Sequence, residues 1–341
     1  MDSLRVGVIG FGRIGAEHAG WLEAAGNARA VAVADATPAR QELARQRHLR
    51  VCDTVEALLA DPAVDAILVA TPTAMHFEHA SAALLAGKHV MVEKPMALDL
   101  PQATKLRDLA KSQKRVISVF HNRRWDIDYL TVADALRSGA FGKLINIESR
   151  LGQFSSCVGP AAREYRPNWR NEATYGGGGL YDWGSHFVDQ IWQLLLPARP
   201  VRVFAQLRAN VWSKDCDDFA RVLIDFDNGV AALVEINTTT TAPLPRWQLD
   251  GTQGSASSPA SLSFDTNVWA DLRLTPASGQ PRQFPRAAAG LTETQIWEQF
   301  ARAVGGEGEP AVPVETVLPT MALLDAARES SRTGKVVVIE K

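Results

Sequence analysis

Three cysteines are few for 341 residues, and Cys52, Cys157 and Cys216 stand far apart with no C-x-x-C pair. Their number and spacing argue against a disulfide framework or a cysteine-built zinc site, and no metal is expected; a reducing compartment fits best. Neither sign of charge is in excess. The 36 Lys and Arg against 38 Asp and Glu leave a formal net charge of -2, which offers a nucleic-acid backbone nothing to hold. No run approaches the roughly 18 consecutive apolar residues of a membrane span. Met1-Asp2-Ser3-Leu4-Arg5 leads into a strand-like segment without the basic and apolar regions of an export signal, so a cytoplasmic location is expected. With 46% hydrophobic and 22% charged residues the chain reads as globular and not disordered. Against a prior of roughly 150 residues per domain, its length predicts two domains.

The first third alternates short apolar runs with helical patterns. Val6–Ile9, Ala30–Ala34, Asp65–Ala70, His89–Val92 and Val116–Phe120 read as buried strands. Between them, Ile14–Ala25, Pro38–Arg47, a stretch ending at Gly87 and Pro101–Ser112 read as helices. Asp53-Thr54-Val55-Glu56 reads as an N-cap with a carboxylate three residues on, opening a short helix through Leu59. Near-continuous apolar strands joined by helices imply a doubly wound parallel α/β sheet covered on both faces, here spanning residues 1–121. Residues 122–341 have a different texture. A helix at Ile127–Arg137 precedes strand patterns at Leu144–Leu151, Val201–Leu207, Ala220–Phe226 and Val230–Thr240. Asp227-Asn228-Gly229 marks a hairpin between the last two. One long apolar helix is expected over Leu180–Leu196, and Gly251–Ser263, rich in Ser, Gly and Ala, reads as a loop. The second domain is therefore expected to be α+β, with a large, mainly antiparallel sheet.

Gly10-Phe11-Gly12-Arg13-Ile14-Gly15 matches G-x-G-x-x-G after a strand and at the opening of a helix, the context that makes this motif specific for a dinucleotide. Gly10 permits the tight turn, Gly12 lets the backbone approach a pyrophosphate, and Gly15 lets helix and strand pack closely. The helix N-terminus then offers free N–H groups to the anion. Asp35 follows Gly10 by 25 residues, at the end of the next strand. A carboxylate there accepts from the ribose hydroxyls and repels a 2′-phosphate, which favours NAD over NADP, although Arg40 nearby leaves NADP possible.

Glu93-Lys94-Pro95 stands at the carboxyl end of the His89–Val92 strand, where open α/β sheets bind ligands. Thr71 and Pro72, with His76 beyond, end the preceding strand and either line the same crevice or form only a turn and helix cap. In the second domain Gly176–Gly179 precedes Leu180-Tyr181-Asp182-Trp183-Gly184-Ser185-His186. Asp182 and His186 are four apart, so a helix projects both from one face. A polar pair in apolar surroundings, beside glycines that admit a close approach, points to chemistry.

These pieces together resemble the Gfo/Idh/MocA oxidoreductases, the group of glucose–fructose oxidoreductase and inositol dehydrogenase. The matching segments are Gly10–Gly15, Ala70–Thr73 with His76, Val92–Pro95, His121–Trp125, Trp169-Arg170, Gly176–His186 and Gly251–Ser255. The stretches Asn122–Asp126 and Tyr181–His186 are most similar to the branch of scyllo-inositol dehydrogenases. The resemblance implies an NAD-dependent dehydrogenase acting on a sugar or cyclitol, built as a homodimer or homotetramer through the open face of the C-terminal sheet. It also implies that Lys94, Asp182 and His186 are catalytic. Gly10, Phe11, Gly12, Arg13, Ile14, Asp35, Thr71, Pro72, His76, Glu93, Lys94, Asn122, Arg123, Trp169 and Arg170 would hold the cofactor. His121 departs from the Gln usual before Asn-Arg-Arg. Tyr165, Trp183 and Arg124 either line a substrate wall or pack, and Trp192 and Trp212 are read as core or interface. Two other functions suit the same scaffold: an NAD-binding sugar sensor without turnover, and an NAD-dependent glycosidase. Retention of Lys94, Asp182 and His186 together argues against the sensor, which needs no proton-transfer set.

Overall fold

The computed structural model describes residues 3–156, 169–262 and 264–339; Cys157 and Tyr165 lie outside them. The chain divides into two compact units. One comprises Met1–Asn122 with Leu291–Met321, the other Arg123–Gly290 with Ala322–Lys341.

The first unit alternates β1 (Leu4–Ile9), α1 (Arg13–Ala24), β2 (Ala28–Ala34), α2 (Pro38–Gln46), β3 (Arg50–Val51), α3 (Val55–Leu59), β4 (Ala66–Val69), α4 (His76–Leu85), β5 (His89–Val92), α5 (Leu100–Ser112) and β6 (Ile117–Val119). The strands form one parallel sheet in the order β3-β2-β1-β4-β5-β6. Val6, Val8, Ile67, Leu68, Val90 and Met91 are all buried, as a sheet covered on both faces requires. Burying each such side chain contributes roughly 1.5–3 kcal/mol. The two-residue β3 is too short to show in the apolar pattern. The α3 cap is Thr54 and not Asp53: its hydroxyl accepts from Ala57 N–H, so an alanine occupies the position where a capping-box carboxylate would return the bond.

Leu291–Met321 packs with this first unit, although residues 122–341 were expected as one domain. Its helix Glu293–Val304 begins with a capping box between Thr292 and Gln295 and lays Trp297 and Phe300, both 0% exposed, into the unit near α1. Ser118 on β6 donates to Val312 O at 2.8 Å, pinning the returning chain to the sheet edge. An isolated amphipathic helix does not say which of two cores it will cover.

The second unit contains α6 (Ile127–Arg137), β7 (Leu144–Gly152), α7 (Ser185–Leu195), β8 (Pro200–Arg208), β9 (Phe219–Phe226), β10 (Ala231–Asn237), β11 (Leu244–Pro245), β12 (Trp247–Gly251), β13 (Gly254–Ser257), β14 (Ala260–Ser261), α8 (Thr266–Trp269), β15 (Arg273–Pro276), β16 (Arg282–Gln283) and β17 (Val337–Val338). Nine strands form a sheet in the order β16-β15-β13-β12-β7-β10-β9-β8-β17, and β11 pairs with β14. Among the described residues of this unit, β10 and β7 alone run parallel; the other pairs are antiparallel. Gly251–Ser263, expected as a loop, instead supplies β13 and β14. Ser, Gly and Ala have low strand propensity, but β13 lies between β12 and β15, and small side chains suit that tight position. A Cβ on Gly254 would stand 3.0 Å from Thr275 O. Among the described residues no helix is long and apolar enough to cross a membrane. Cys52 and Cys216 are buried free thiols.

Candidate functional site

In the first unit the glycine-rich turn has the geometry that its motif requires. Gly10 sits at φ +89°, and a Cβ there would meet Ala70 O at 2.8 Å. A Cβ on Gly15 would lie 2.1 Å from Gly10 O, so α1 and the β1 turn can be this close only with glycine. Nothing lies within 4 Å of the same position on Gly12, the α1 N-cap, and no side chain caps α1. Open space before a helix N-terminus fits a dinucleotide pyrophosphate. Arg13 is exposed and ion-paired with Glu17 at 2.9 Å; Phe11 is buried and Ile14 half-buried.

Asp35 ends β2 as expected and ties two turns together. One carboxylate oxygen accepts Phe11 N–H at 2.6 Å and the other Thr37 N–H at 2.8 Å. An ionised carboxylate has about four acceptor positions, so capacity remains for ribose hydroxyls. Arg40, the residue that left NADP open, is buried in α2.

At the ends of β4 and β5 the histidines of α4 bind Thr71 and Pro95. His76 Nδ1 lies 2.8 Å from Pro95 O and Nε2 lies 2.9 Å from Thr71 O, while His79 Nδ1 reaches Thr71 Oγ1 at 3.2 Å. Burial pushes the His76 pKa down, against the two carbonyls that raise it. Pro72 opens the short turn Thr73–Met75 between them. Lys94 is half-buried at the end of β5, and the Lys94–Pro95 peptide is cis. Glu93 points inward, to His18 and to the Lys94 backbone. Asn122 donates to Glu293 Oε1 at 3.1 Å within this unit.

In the second unit the glycine run admits a carboxylate that its sequence does not announce. Gly178 (φ +111°) and Gly179 lie against Asp217, whose Oδ2 accepts Leu180 N–H at 2.7 Å. Burial pushes the Asp217 carboxyl up to about 6. Gly177 lies against the carbonyls of Trp169 and Arg170. These contacts place Asp217 and the Trp169-Arg170 turn at the head of the helix that carries Asp182 and His186. The helix is not continuous, because Leu180–Gly184 is a π-helical turn before α7 begins. Such turns recur at functional sites. Asp182 pairs with Arg170 at 3.5 Å, and the Arg170 guanidinium lies 4.3 Å over the Trp169 ring. His186, 5% exposed, lies in the first turn of α7. Asp182, His186, Trp169 and Arg170 thus belong to one neighbourhood.

The other second-unit residues mostly pack. Arg124 makes a two-pronged bond to buried Asp189 at 2.7 and 2.8 Å. Arg123, expected at the cofactor, pairs with Asp126 at 3.0 Å and lies 4.1 Å over Phe264 and 5.0 Å over Trp183. Trp183 stacks on Phe264 with ring centroids 4.7 Å apart. Trp212 donates to Thr238 O at 2.7 Å; it and Trp192 are half-buried. His121, which stands where Gln is usual, is buried. Sequence patterns missed Asp217, His18 and Trp297; the one available signal was the Asp215–Asp218 cluster around Cys216.

Comparison with known proteins agrees with this geometry. Residues 4–121 match the model of the oxidoreductase family with an NAD-binding Rossmann fold, and residues 129–257 match the GFO/IDH/MocA C-terminal domain. The chain is 30% identical to the uncharacterized oxidoreductase YdgJ of Escherichia coli (strain K12), covering 97% of each. It is 24% identical to the scyllo-inositol 2-dehydrogenase (NADP(+)) IolW of Bacillus subtilis (strain 168), covering 100% of this chain and 97% of that protein. The crystal structure of an NAD-binding protein from Listeria innocua superposes with a TM-score of 0.87 at 29% identity, covering 99% of this chain and 97% of that one. With a six-stranded parallel sheet, a glycine turn shaped for a dinucleotide and both domain models matched in order, the chain belongs to the Gfo/Idh/MocA family of oxidoreductases and carries its NAD-binding Rossmann domain.

Proposed function

We propose that this oxidoreductase moves a hydride between the nicotinamide of NAD and a secondary alcohol or ketone of a sugar or cyclitol. The observation that carries this reading is the start of α7. His186 is buried there one turn beyond Asp182, which Arg170 holds at 3.5 Å. Bound NAD supplies the hydride acceptor. His186 takes the proton of the substrate hydroxyl as general base. Lys94 donates a hydrogen bond to the same oxygen and stabilises the negative charge that develops there. Asp182 orients the substrate or the imidazole, with Arg170 restricting its rotation. Asp35, at the end of β2, with Arg40 buried in α2, favours NAD, whereas the Bacillus relative is named for NADP.

We also propose that the chain works as a homo-oligomer through the open face of its large sheet. Phe204, Leu223 and Leu233 face one another across β8, β9 and β10, and Leu223 is 47% exposed. A cross-strand apolar row on an open face suits a second copy of the chain.

The test is NADH absorbance with a panel of inositols, hexoses and pentoses, run with NAD and NADP in parallel and in both directions. Turnover with NAD is expected. His186→Ala and Lys94→Ala should each lower kcat by about 10²–10⁴-fold, with little change in NAD affinity for His186→Ala. Wild-type rates in either variant would overturn that residue's role. Silence of the wild type across the panel, with NAD bound, would favour the sensor.

A further inference from the structure

Glu93 is buried, and each of its oxygens has a fixed partner: Oε1 lies 2.8 Å from His18 Nε2, and Oε2 accepts Lys94 N–H at 3.1 Å. His18 is itself 0% exposed on α1, walled by Trp21, Phe120 and Trp297. Trp297 Nε1 donates to His18 Nδ1 at 2.9 Å. An indole N–H can only donate, so Nδ1 carries the lone pair and the single ring proton sits on Nε2, aimed at Glu93. The hydrogen-bond chain therefore has a direction set at its far end by the helix Glu293–Val304, and it finishes at the backbone of Lys94.

We propose that His18, held in its Nε2–H tautomer by Trp297, is a positioning residue for Lys94 and acts through Glu93. The role rests on the reading of Lys94 as the donor to the substrate oxygen. Without the Nε2–H, one oxygen of a buried carboxylate loses its partner, and Glu93 either turns away from the Lys94 backbone or takes up a proton. The titratable groups facing Glu93 are His18 from α1, the adjoining Lys94 and His76 from α4. Burial would raise the Glu93 carboxyl, but the His18 hydrogen bond, with the Lys94 charge and backbone N–H, brings it below the ordinary carboxylate range. The sign follows. Activity that needs ionised Glu93 is lost as pH falls through its pKa, and removing His18 moves that loss to higher pH.

Two measurements test this. In ¹⁵N-histidine NMR of the wild-type protein, His18 should show a protonated Nε2 and a bare Nδ1. An Nδ1–H tautomer overturns the proposal. In kinetics, His18→Leu should lower kcat about tenfold and move the acid limb up by about one pH unit, with the NAD dissociation constant unchanged. His18→Gln, whose amide N–H takes the place of Nε2–H, should restore the limb, and Trp297→Phe should move it in the same direction as His18→Leu. An unmoved limb in His18→Leu, or equal shifts in His18→Leu and His18→Gln, overturns it. If His18→Leu does not fold, the Gln and Trp297→Phe variants and the NMR tautomer decide. Lys94→Ala runs in the same assay: wild-type turnover there defeats the reading of Lys94, while the tautomer still judges the relay.

Discussion

Asp35 does two jobs with one carboxylate. It holds the N–H of Phe11 in the glycine turn and the N–H of Thr37 before α2, and it leaves lone pairs for a ribose. The same negative charge opposes a 2′-phosphate. Asp35→Ser should therefore lower kcat/KM for NAD by about tenfold or more while narrowing the gap between NAD and NADP. The ratio of kcat/KM for the two cofactors, measured on one preparation, checks this; an unchanged ratio would remove Asp35 from cofactor choice. Glu93 shows how a residue in a functional motif can serve from behind. It belongs to the motif, yet both its oxygens are engaged inward, with His18 and the Lys94 backbone.

The element that most departs from simple expectation is the helix of Asp182 and His186. A spacing of four places both on one face of a regular helix, but the first turn is π-helical, and Asp217 reaches in from beyond the glycine run to take the Leu180 N–H. Burial raises the Asp217 carboxyl from 3.8 to about 6. An acid whose folded pKa lies above its unfolded value binds more protons when folded, so stability falls as pH rises from about 4 to about 6. Asp217→Asn should remove that part of the slope. Urea unfolding of wild type and variant across this window measures it, and parallel curves would show that Asp217 does not contribute. The four glycines gain their meaning from this contact. With side chains at Gly178 and Gly179 the carboxylate would be displaced and the helix would start uncapped.

For the whole molecule, the proposed assembly rests on the open face of the nine-stranded sheet. Leu223→Glu places a charge in the middle of the Phe204–Leu223–Leu233 row while leaving the buried face of β9 intact. Light scattering coupled to size exclusion should find an oligomer for the wild type and a smaller species for the variant. An unchanged mass would place the contact elsewhere.

The parallel sheet and the cofactor turn were legible in the sequence because both are local. Apolar strand runs, glycine spacing and a carboxylate 25 residues on are set by backbone sterics and burial over short stretches. The Ser, Gly and Ala run at β13 was not legible, since its strand exists only because β12 and β15 flank it. Nor was the return of Leu291–Met321 to the first unit, because an amphipathic helix advertises an apolar face and not the core that will receive it. Lys94, Asp182 and His186 could be picked out by type and motif. The supports of that proposed machinery, Asp217 at the helix head and the Trp297–His18–Glu93 chain behind Lys94, are tied in by hydrogen bonds spanning 37 residues, from Leu180 to Asp217, and 279 residues, from His18 to Trp297. Hydrogen bonds of that span leave no periodicity, and only tertiary packing selects them.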